Sequence, residues 1–437
     1  MKLYYFVFKI LLYTFIFLGI SNSLYSKVSD FNQDAKNISN YFSGVVAFNN
    51  FDYSISNRFF DNFSKSNNTN KKFSSDYMQS LINQGKYSDA YNYSKRLERK
   101  KISNFESNLF LGLYEFKNKN YSDAISYFNN LEPTFEHQFV FDPLKISLIN
   151  WSKIVISSNT DSIELIKSMS PNYKSLKSIQ EIFANCYLDS ANTENYFSKV
   201  INDKTDKFYR YNFFFANYLI QKGDRKKSES IINSISKKFP RNLLINQFVE
   251  SLENNEKNEN KFNCKNPQHI LAEIFYTFAN ALSVQKQYKL SNFYINFSKY
   301  LNPNFLSYNA LLAENLLMLK KYDQSRKIYE KLFTLGSFYK WHASKEISLI
   351  LEEQGKEEDS VKFLKKIYDK IKINLYRTFD FANFLKSHKK YDESIKLYSK
   401  ILKQVDKNHP LYPKVLDRRG TAYERIGDWK MAEKDLM

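Results

Sequence analysis

A fixed pattern of apolar, small and polar positions recurs along the chain. Its most visible element is an aromatic residue inside a short polar phrase, as in QGKYSDA, NKNYSDA and KKYDES. This anchor position is occupied by Tyr53, Tyr87, Tyr121, Tyr288, Tyr322, Tyr391 and Trp429, and two further copies keep the frame with Arg225 and Glu357. The anchors at 53, 87 and 121 are 34 residues apart, as are those at 288 and 322. A repeat of this length predicts the fold before any single residue is interpreted.

Other positions follow the same frame. A small residue comes three positions after all nine anchors and another comes nine positions before eight of them, while an apolar residue comes seven positions after eight of them. Two antiparallel helices pack closely only if small residues lie where their backbones approach. The pattern therefore predicts a helix, a turn, and a second helix that starts at the anchor. Glycine, which favours helix C-termini, comes two residues before four anchors, at Gly85, Gly223, Gly355 and Gly427.

This frame resembles the tetratricopeptide repeat, and LDRRGTAYERIGDWKMAEKDL at 416–436 is its closest copy. The resemblance covers nine readable units across roughly residues 37–437. It implies an all-α fold, an α-solenoid whose helix-turn-helix repeats stack into a right-handed superhelix. The layout is also similar to that of exported tetratricopeptide proteins of alphaproteobacterial type, most of which have no assigned activity.

The spacing of the units predicts the organisation of the chain. Between Tyr121 and Arg225 the pattern decays, and two degenerate units are expected near 159–163 and 191–195. The polar stretch ENNEKNENKFN is expected to be either a boundary between two halves of the array or a tolerated surface insertion. The predicted segments are 1–26 (signal peptide or anchor), 27–136 (units 1–3), 137–205 (degenerate helices), 206–252 (one unit plus an extra helix), 253–266 (polar loop) and 267–437 (further units, the last truncated).

The N-terminus has the pattern of a secretory signal. Lys2 and Lys9 precede an apolar run at 10–20, and small residues follow it at 21–26. Two outcomes are expected: cleavage, with export to the periplasm, or retention as an anchor in the inner membrane.

Composition adds one candidate partner and argues against several kinds of chemistry. The 65 basic and 46 acidic residues give a net charge of +19. This charge favours docking on anionic lipid or cell-wall polymer, although a Lys-, Asn- and Ile-rich composition also accounts for it. The five histidines and two cysteines have no metal-ligand spacing, so neither a zinc site nor a disulfide is expected, and Cys186 is interpreted as a small core residue. No catalytic or nucleotide-binding motif occurs. The sequence therefore predicts no enzyme, cofactor, nucleic-acid partner or small-molecule substrate.

The resemblance also implies a binding surface on the inner faces of the first helices. Three of these helices carry an asparagine four residues after an aromatic residue, a pairing that suits a peptide backbone because the amide both donates and accepts hydrogen bonds. Asparagine is abundant throughout the chain, which is the alternative explanation. The candidate groove residues are Arg210, Phe213, Asn217, Tyr276, Asn280, Glu314, Phe379 and Asn383.

The predicted function is a scaffold of the bacterial envelope that holds protein or peptide partners in this groove. The alternatives are a protein that docks electrostatically on anionic surfaces and a non-catalytic regulatory or assembly subunit.

Overall fold

The computed structural model describes residues 33–65, 70–202, 209–256 and 260–437. These residues form 23 α-helices and three short 3₁₀ helices, with no β-strand among them. The predicted signal or anchor, residues 1–26, lies outside the described residues. Within the described part of the chain, no helix combines the length and the apolar character needed to cross a membrane.

The chain divides into two compact units, residues 1–141 and 142–437. In the first unit the helices are α1 (33–49), α2 (Tyr53–Ser64), α3 (Lys71–Gln84), α4 (Tyr87–Arg99), α5 (Phe105–Lys117) and α6 (Tyr121–Asn129). Helix α7 (Gln138–Ser157) contains the division.

The second unit continues as a run of helical hairpins. Its α-helices are α8 (Glu164–Lys167), α9 (Lys174–Tyr187), α10 (Thr193–Ile201), α11 (Tyr209–Gln221), α12 (Arg225–Lys238), α13 (Leu243–Glu253), α14 (Pro267–Val284), α15 (Tyr288–Leu301), α16 (Tyr308–Met318), α17 (Tyr322–Lys331), α18 (Ser337–Glu353), α19 (Glu357–Tyr368), α20 (Leu375–Ser387), α21 (Tyr391–Leu402), α22 (Tyr412–Arg425) and α23 (Trp429–Leu436). The 3₁₀ helices are Thr160–Ile163, Pro171–Tyr173 and Leu332–Leu335.

The predicted hairpin frame is confirmed at all nine anchors, each of which is the first residue of a helix. The residue two positions before each anchor has a positive φ. Glycine occupies this position four times, as at Gly85 (φ 76°), whereas Lys320 (φ 57°) and four other residues adopt the same left-handed conformation without being glycine. The turn geometry is therefore set by the hairpin, and glycine only makes it easier to form.

The small positions allow the two helices of a hairpin to touch. Ser228, Ser291 and Ser325 are fully buried, and each hydroxyl donates to a backbone carbonyl twelve residues earlier at 2.7–2.8 Å. A Cβ placed on Gly112 of α5 would overlap the ring of Phe128 on α6. Side-chain volume at these positions is therefore limited by the partner helix.

Gly112→Ala is expected to lower the free energy of unfolding of the first unit by about 1–3 kcal/mol, because the added methyl overpacks against Phe128. In an open helical position the same change would instead stabilise by up to about 1 kcal/mol. Urea denaturation monitored by circular dichroism measures the difference, with Ser122→Ala at an exposed position of α6 as the control. A neutral or stabilising effect at Gly112 would contradict the close approach.

The decayed region and the polar loop differ from a regular array. The degenerate unit near 159–163 forms one 3₁₀ turn followed by the four-residue helix α8, whereas the unit near 191–195 forms α10. The predicted extra helix before the polar loop is α13. Residues 260–266 lie inside the second compact unit, and the division of the chain falls at 141/142. The loop was considered as a surface insertion, but Asn260, Phe262 and Cys264 are buried.

Candidate functional site

Three of the predicted groove residues meet in an aromatic chamber of the second unit. The Arg210 guanidinium on α11 contacts Glu273 on α14 through two hydrogen bonds, from Nε at 2.6 Å and from Nη2 at 2.9 Å. The guanidinium carbon lies 3.9 Å from the centre of the Tyr276 ring. Phe213, one helical turn along α11, is fully buried and stacks edge-on against Phe305.

Charge is balanced inside this chamber. The Glu273 side chain is completely buried and that of Arg210 is 20% exposed. Burial disfavours the charged guanidinium, but the facing Glu273 carboxylate outweighs it and raises the pKa of Arg210. Arg210 is therefore held in an internal ion pair with Glu273 and is not available to a peptide ligand.

Asn217 contacts a segment of the same chain, residues 260–266, which we call the inner segment. The side-chain amides of Asn217 and Gln221 both donate to the main-chain carbonyl of Phe262, each at 2.8 Å. Along the inner segment Asn260, Phe262 and Cys264 are buried while Lys261, Asn263 and Lys265 are exposed. Over residues 260–263 this alternation is that of an extended chain with one side facing a surface. From Asn263 the segment turns, and the Asn266 N–H donates to the Asn263 carbonyl at 3.0 Å.

The buried side of the inner segment is centred on the Phe262 ring. Its centre lies 4.4 Å from that of Phe214, 5.3 Å from Phe183 and 6.4 Å from Phe305. These separations are typical of edge-on and tilted aromatic pairs, which add to the gain from burial. Helices α9 and α11 thus supply an aromatic pocket beside the two amide donors.

The inner segment is also held from the α15–α16 connection. The Lys261 N–H donates to the carbonyl of Asn304 at 3.1 Å, and the Asn302 amide donates to the Lys261 carbonyl at 3.0 Å. The Ser307 N–H and hydroxyl donate to the Asn260 side-chain oxygen at 2.9 and 2.6 Å. Both edges of its backbone are therefore hydrogen-bonded.

A disulfide bond joins Cys264 of the inner segment to Cys186 of α9, and their Cα atoms are 5.9 Å apart. The expectation that no disulfide forms was wrong. The two cysteines are 78 residues apart, and only the fold brings them together. Cys186 is fully buried, as expected of a core residue, but it is covalently paired as well.

The remaining candidates lie elsewhere. Asn280 on α14 and Glu314 on α16 are exposed. Phe379 belongs to a hydrophobic cluster of α20, α21 and α22, and the Asn383 side-chain oxygen accepts a hydrogen bond from the Tyr398 hydroxyl at 2.6 Å. The eight predicted residues therefore do not form one surface.

The first unit contains a polar cluster that the sequence did not indicate, buried at Glu106 and His137 and exposed at Glu136. Ligand atoms of Glu106, Glu136 and His137 lie within 4.8 Å of one another, as a metal site would require. Protein donors already hold these carboxylates, however. Glu106 Oε1 accepts from the Ser75 hydroxyl at 2.6 Å and from the Gln79 amide at 3.1 Å, and it lies 3.2 Å from His137 Nε2. The geometry is that of a hydrogen-bonded carboxylate network. Glu106 and His137 are 31 residues apart, which hides the pairing from motif analysis.

Stability of the first unit is expected to fall in acid because of Glu106. Burial raises the pKa of this carboxyl, but hydrogen bonds and charge from His137, with Ser75 and Gln79, outweigh it and lower the pKa overall. A lowered pKa stabilises the fold above the unfolded value of about 4.3, and this contribution is lost as the pH falls through the folded value. Glu106→Gln should therefore destabilise the unit at pH 7 by about 1–3 kcal/mol and flatten its pH dependence below pH 4. Urea denaturation at pH 7 and pH 3 measures the free energy of unfolding, with the exposed Glu132→Gln as control. An equal loss of stability between pH 7 and pH 3 in Glu106→Gln and in the unsubstituted protein would contradict this expectation.

Three solved structures are similar to this chain over most of its length, at low sequence identity. The crystal structure of yeast Tom70 aligns at 13% identity over 92% of this chain and 91% of its own, with a TM-score of 0.31. The APC/C hetero-tetramer Cut9-Hcn1 aligns at 11% identity over 91% and 86%, with a TM-score of 0.32. The P58(IPK) TPR domain aligns at 13% identity over 90% and 98%, with a TM-score of 0.24. At these scores the alignments carry no information about what this chain binds.

No protein-family model and no curated protein sequence matches the chain. The class of the protein follows from its own hairpins: it is an all-α protein of helical-hairpin repeats with tetratricopeptide-like spacing. Its distinguishing site is the surface of α9 and α11 that holds residues 260–266 of the same chain.

Proposed function

We propose that this protein is a non-catalytic scaffold of the bacterial envelope that binds extended segments of partner proteins on the inner faces of its helical hairpins. The observation that carries the proposal is the inner segment itself. Asn217 and Gln221 hold a main-chain carbonyl while an aromatic pocket holds the adjoining side chain. This is the recognition of a peptide by shape and backbone, carried out within one molecule.

Three corresponding positions on successive first helices are exposed and available to a second chain. Asn280 and Glu314 are exposed on consecutive first helices, α14 and α16. Leu349 at the corresponding position of α18 is 41% exposed although it is a large apolar residue. Amide, carboxylate and leucine side chains on three successive hairpins supply both polar and apolar contacts to an extended partner.

Selection of a displayed 12-residue peptide library on the full chain tests this proposal. Enriched peptides are expected to compete with one another and to lose at least about tenfold in affinity on Asn280→Ala/Glu314→Ala/Leu349→Ala. Lys327→Ala/Glu330→Ala, on the exposed face of α17, is the control and should bind normally. Failure to enrich any peptide, or equal binding by the inner-face variant, would refute the proposal.

Export is part of the proposal and has one support besides the N-terminal pattern. Disulfide bonds form and persist mainly in oxidising compartments such as the bacterial periplasm. The Cys186–Cys264 bond supports such a location. Alkylation of free thiols in freshly lysed cells measures the state of the pair, and full alkylation of both cysteines would argue against it.

A second candidate function, docking on anionic surfaces, is favoured by a cleft in the first unit. This basic cleft has a volume of about 1020 Å³ between α2, α3 and α4. Its lining carries five basic residues, among them Arg58, Arg96 and Arg99, against the two carboxylates of Asp61 and Asp89. Among the described residues no carboxylate pairs with these three arginines, and Arg96 donates only to the Ser64 hydroxyl at 3.2 Å. Guanidinium groups in this state favour phosphate and carboxylate ligands.

Vesicle co-sedimentation tests the second candidate. Vesicles of phosphatidylglycerol should bind the protein at low salt and release it as the salt concentration rises, whereas phosphatidylcholine vesicles should not bind. Arg58→Gln/Arg96→Gln/Arg99→Gln should lose most of the binding. Lys396→Gln/Lys400→Gln/Lys403→Gln, on α21 and its C-cap, removes the same charge from exposed positions outside the cleft. Equal losses of vesicle binding in the two variants would show that net charge alone drives docking, and the cleft would be rejected as the docking site.

A further inference from the structure

We infer that the inner segment is an internal ligand locked in place by the Cys186–Cys264 disulfide, and that reduction of this bond opens the surface to a partner segment carrying an aromatic side chain. The inference rests on the proposed function and names the partner class and the control of one site within it. Three observations support it. Residues 260–265 alternate between buried and exposed, the surface contacts only a few positions of the segment through specific groups, and the disulfide ties the segment covalently near one end.

The contacts define what the surface recognises. The side-chain amides of Asn217 and Gln221 donate to a main-chain carbonyl, a group that every residue possesses. The pocket of Phe183, Phe214 and Phe305 packs around one aromatic ring. The neighbouring Lys261 and Asn263 are exposed. A partner would therefore need an extended backbone and one aromatic side chain, while its alternate residues are unrestricted.

The positions two residues on either side of the ring add a size limit. Asn260 and Cys264 are buried at 3% and 5% exposure, and both have short side chains. Asn260 accepts two hydrogen bonds from Ser307, so a polar acceptor is favoured there. The partner class is thus an extended segment with an aromatic residue flanked, two positions away, by short side chains.

The covalent tie explains why the site is closed while the disulfide is intact. A tethered ligand competes at a high effective concentration that a partner in solution does not reach. The disulfide pins the segment directly beside its aromatic contact, two residues after Phe262. Once the bond is broken, the segment is still joined to α13 and α14 through the backbone, but it can leave the pocket. A partner segment in solution can then compete with it for the site.

Opening requires a dithiol reductant, and the chemistry is ordinary thiol–disulfide exchange. A thiolate of the reductant attacks the Cys264 sulfur, the less buried of the two, and the Cys186 thiolate leaves. The second thiol of the reductant then resolves the mixed disulfide and releases Cys264. The protein gains two thiols, and the reductant becomes a disulfide.

The test uses the full chain and a labelled synthetic peptide that spans residues 260–266 and carries serine in place of Cys264. Fluorescence anisotropy measures its binding to the oxidised protein, to the protein reduced with dithiothreitol, and to reduced Phe262→Ala. We expect no binding when oxidised, binding when reduced, and binding at least about tenfold tighter to reduced Phe262→Ala, whose own segment has lost its anchor. A peptide with alanine in place of the aromatic residue should bind at least about tenfold more weakly.

Asn217→Ala/Gln221→Ala supplies the matched control, because it removes the carbonyl donors while leaving the aromatic pocket, and it should abolish peptide binding in the reduced state. Equal binding to oxidised and reduced protein would overturn the gate. A reduced Phe262→Ala protein that keeps its helix content and binds no peptide would overturn the inference as a whole. If that variant does not fold, Phe262→Leu replaces it under the same criteria.

Loss of helix content on reduction of the unsubstituted protein would also overturn the gate, since an open state must be folded. None of these failures affects the library selection on Asn280, Glu314 and Leu349. The scaffold function and its control are therefore tested separately.

Discussion

Glu273→Gln is expected to destabilise the second unit by about 3–5 kcal/mol, because it leaves the Arg210 guanidinium charged inside an aromatic chamber. The Glu273 side chain is completely buried and accepts both hydrogen bonds of the guanidinium. The surrounding rings of Tyr276, Phe214 and Phe305 contact the charge but supply no counter-ion. Guanidinium chloride denaturation followed by tryptophan fluorescence and circular dichroism measures the loss.

The double variant Arg210→Met/Glu273→Leu separates the ion pair from the burial of its atoms. Replacing both partners by apolar residues of similar volume removes the unpaired charge, so the double variant should be more stable than Glu273→Gln. Glu330→Gln, an exposed residue of α17, is the control and should stay within about 0.5 kcal/mol of the unsubstituted protein. A Glu273→Gln variant that is as stable as this control would show that the chamber is open to water.

Removal of the disulfide by Cys186→Ala is expected to cost the second unit about 2–5 kcal/mol. The bond joins residues 78 apart in sequence, so its loss frees a long loop in the unfolded chain. The helices α16–α22 should remain formed at 25 °C, because they bury hydrophobic cores of their own. The measurement is urea denaturation of Cys186→Ala beside the unsubstituted protein, each with and without reductant.

Reductant should reproduce the effect of Cys186→Ala in the unsubstituted protein and leave the variant unchanged. Cys264→Ala should match Cys186→Ala, because both remove the same bond. A reductant effect that persists in either variant would show that something other than this disulfide responds.

The sequence predicted the hairpins because their determinants are local. Each anchor, the small residue three positions later and the left-handed residue two positions earlier lie within one 34-residue unit. The serine hydroxyl bonds to carbonyls twelve residues away show how short these links are. The decayed region contains α8 and α10, but α8 has only four residues, which periodicity in a short apolar run does not indicate.

The site could be predicted only in part, because its contacts are long-range. The chemistry expected of Asn217, an amide that binds a peptide backbone beside an aromatic residue, is the chemistry of its contact with Phe262. The ligand, however, lies 45 residues further along the same chain. Arg210 was predicted to be a groove residue because inner-facing positions were assigned from a uniform stack of repeats. Its guanidinium instead binds Glu273, which lies 63 residues away in the sequence.

Hydrogen exchange of the inner segment tests the central claim most directly. In the oxidised protein the Lys261 amide donates to Asn304 and the Asn263 amide to His269 Nδ1, so exchange at both should be slowed by orders of magnitude relative to an unstructured peptide. Asn217→Ala/Gln221→Ala under reducing conditions should restore fast exchange there while α14 stays protected. Exchange of the oxidised segment at the rate of a free peptide would contradict the claim that the inner surface binds an extended chain.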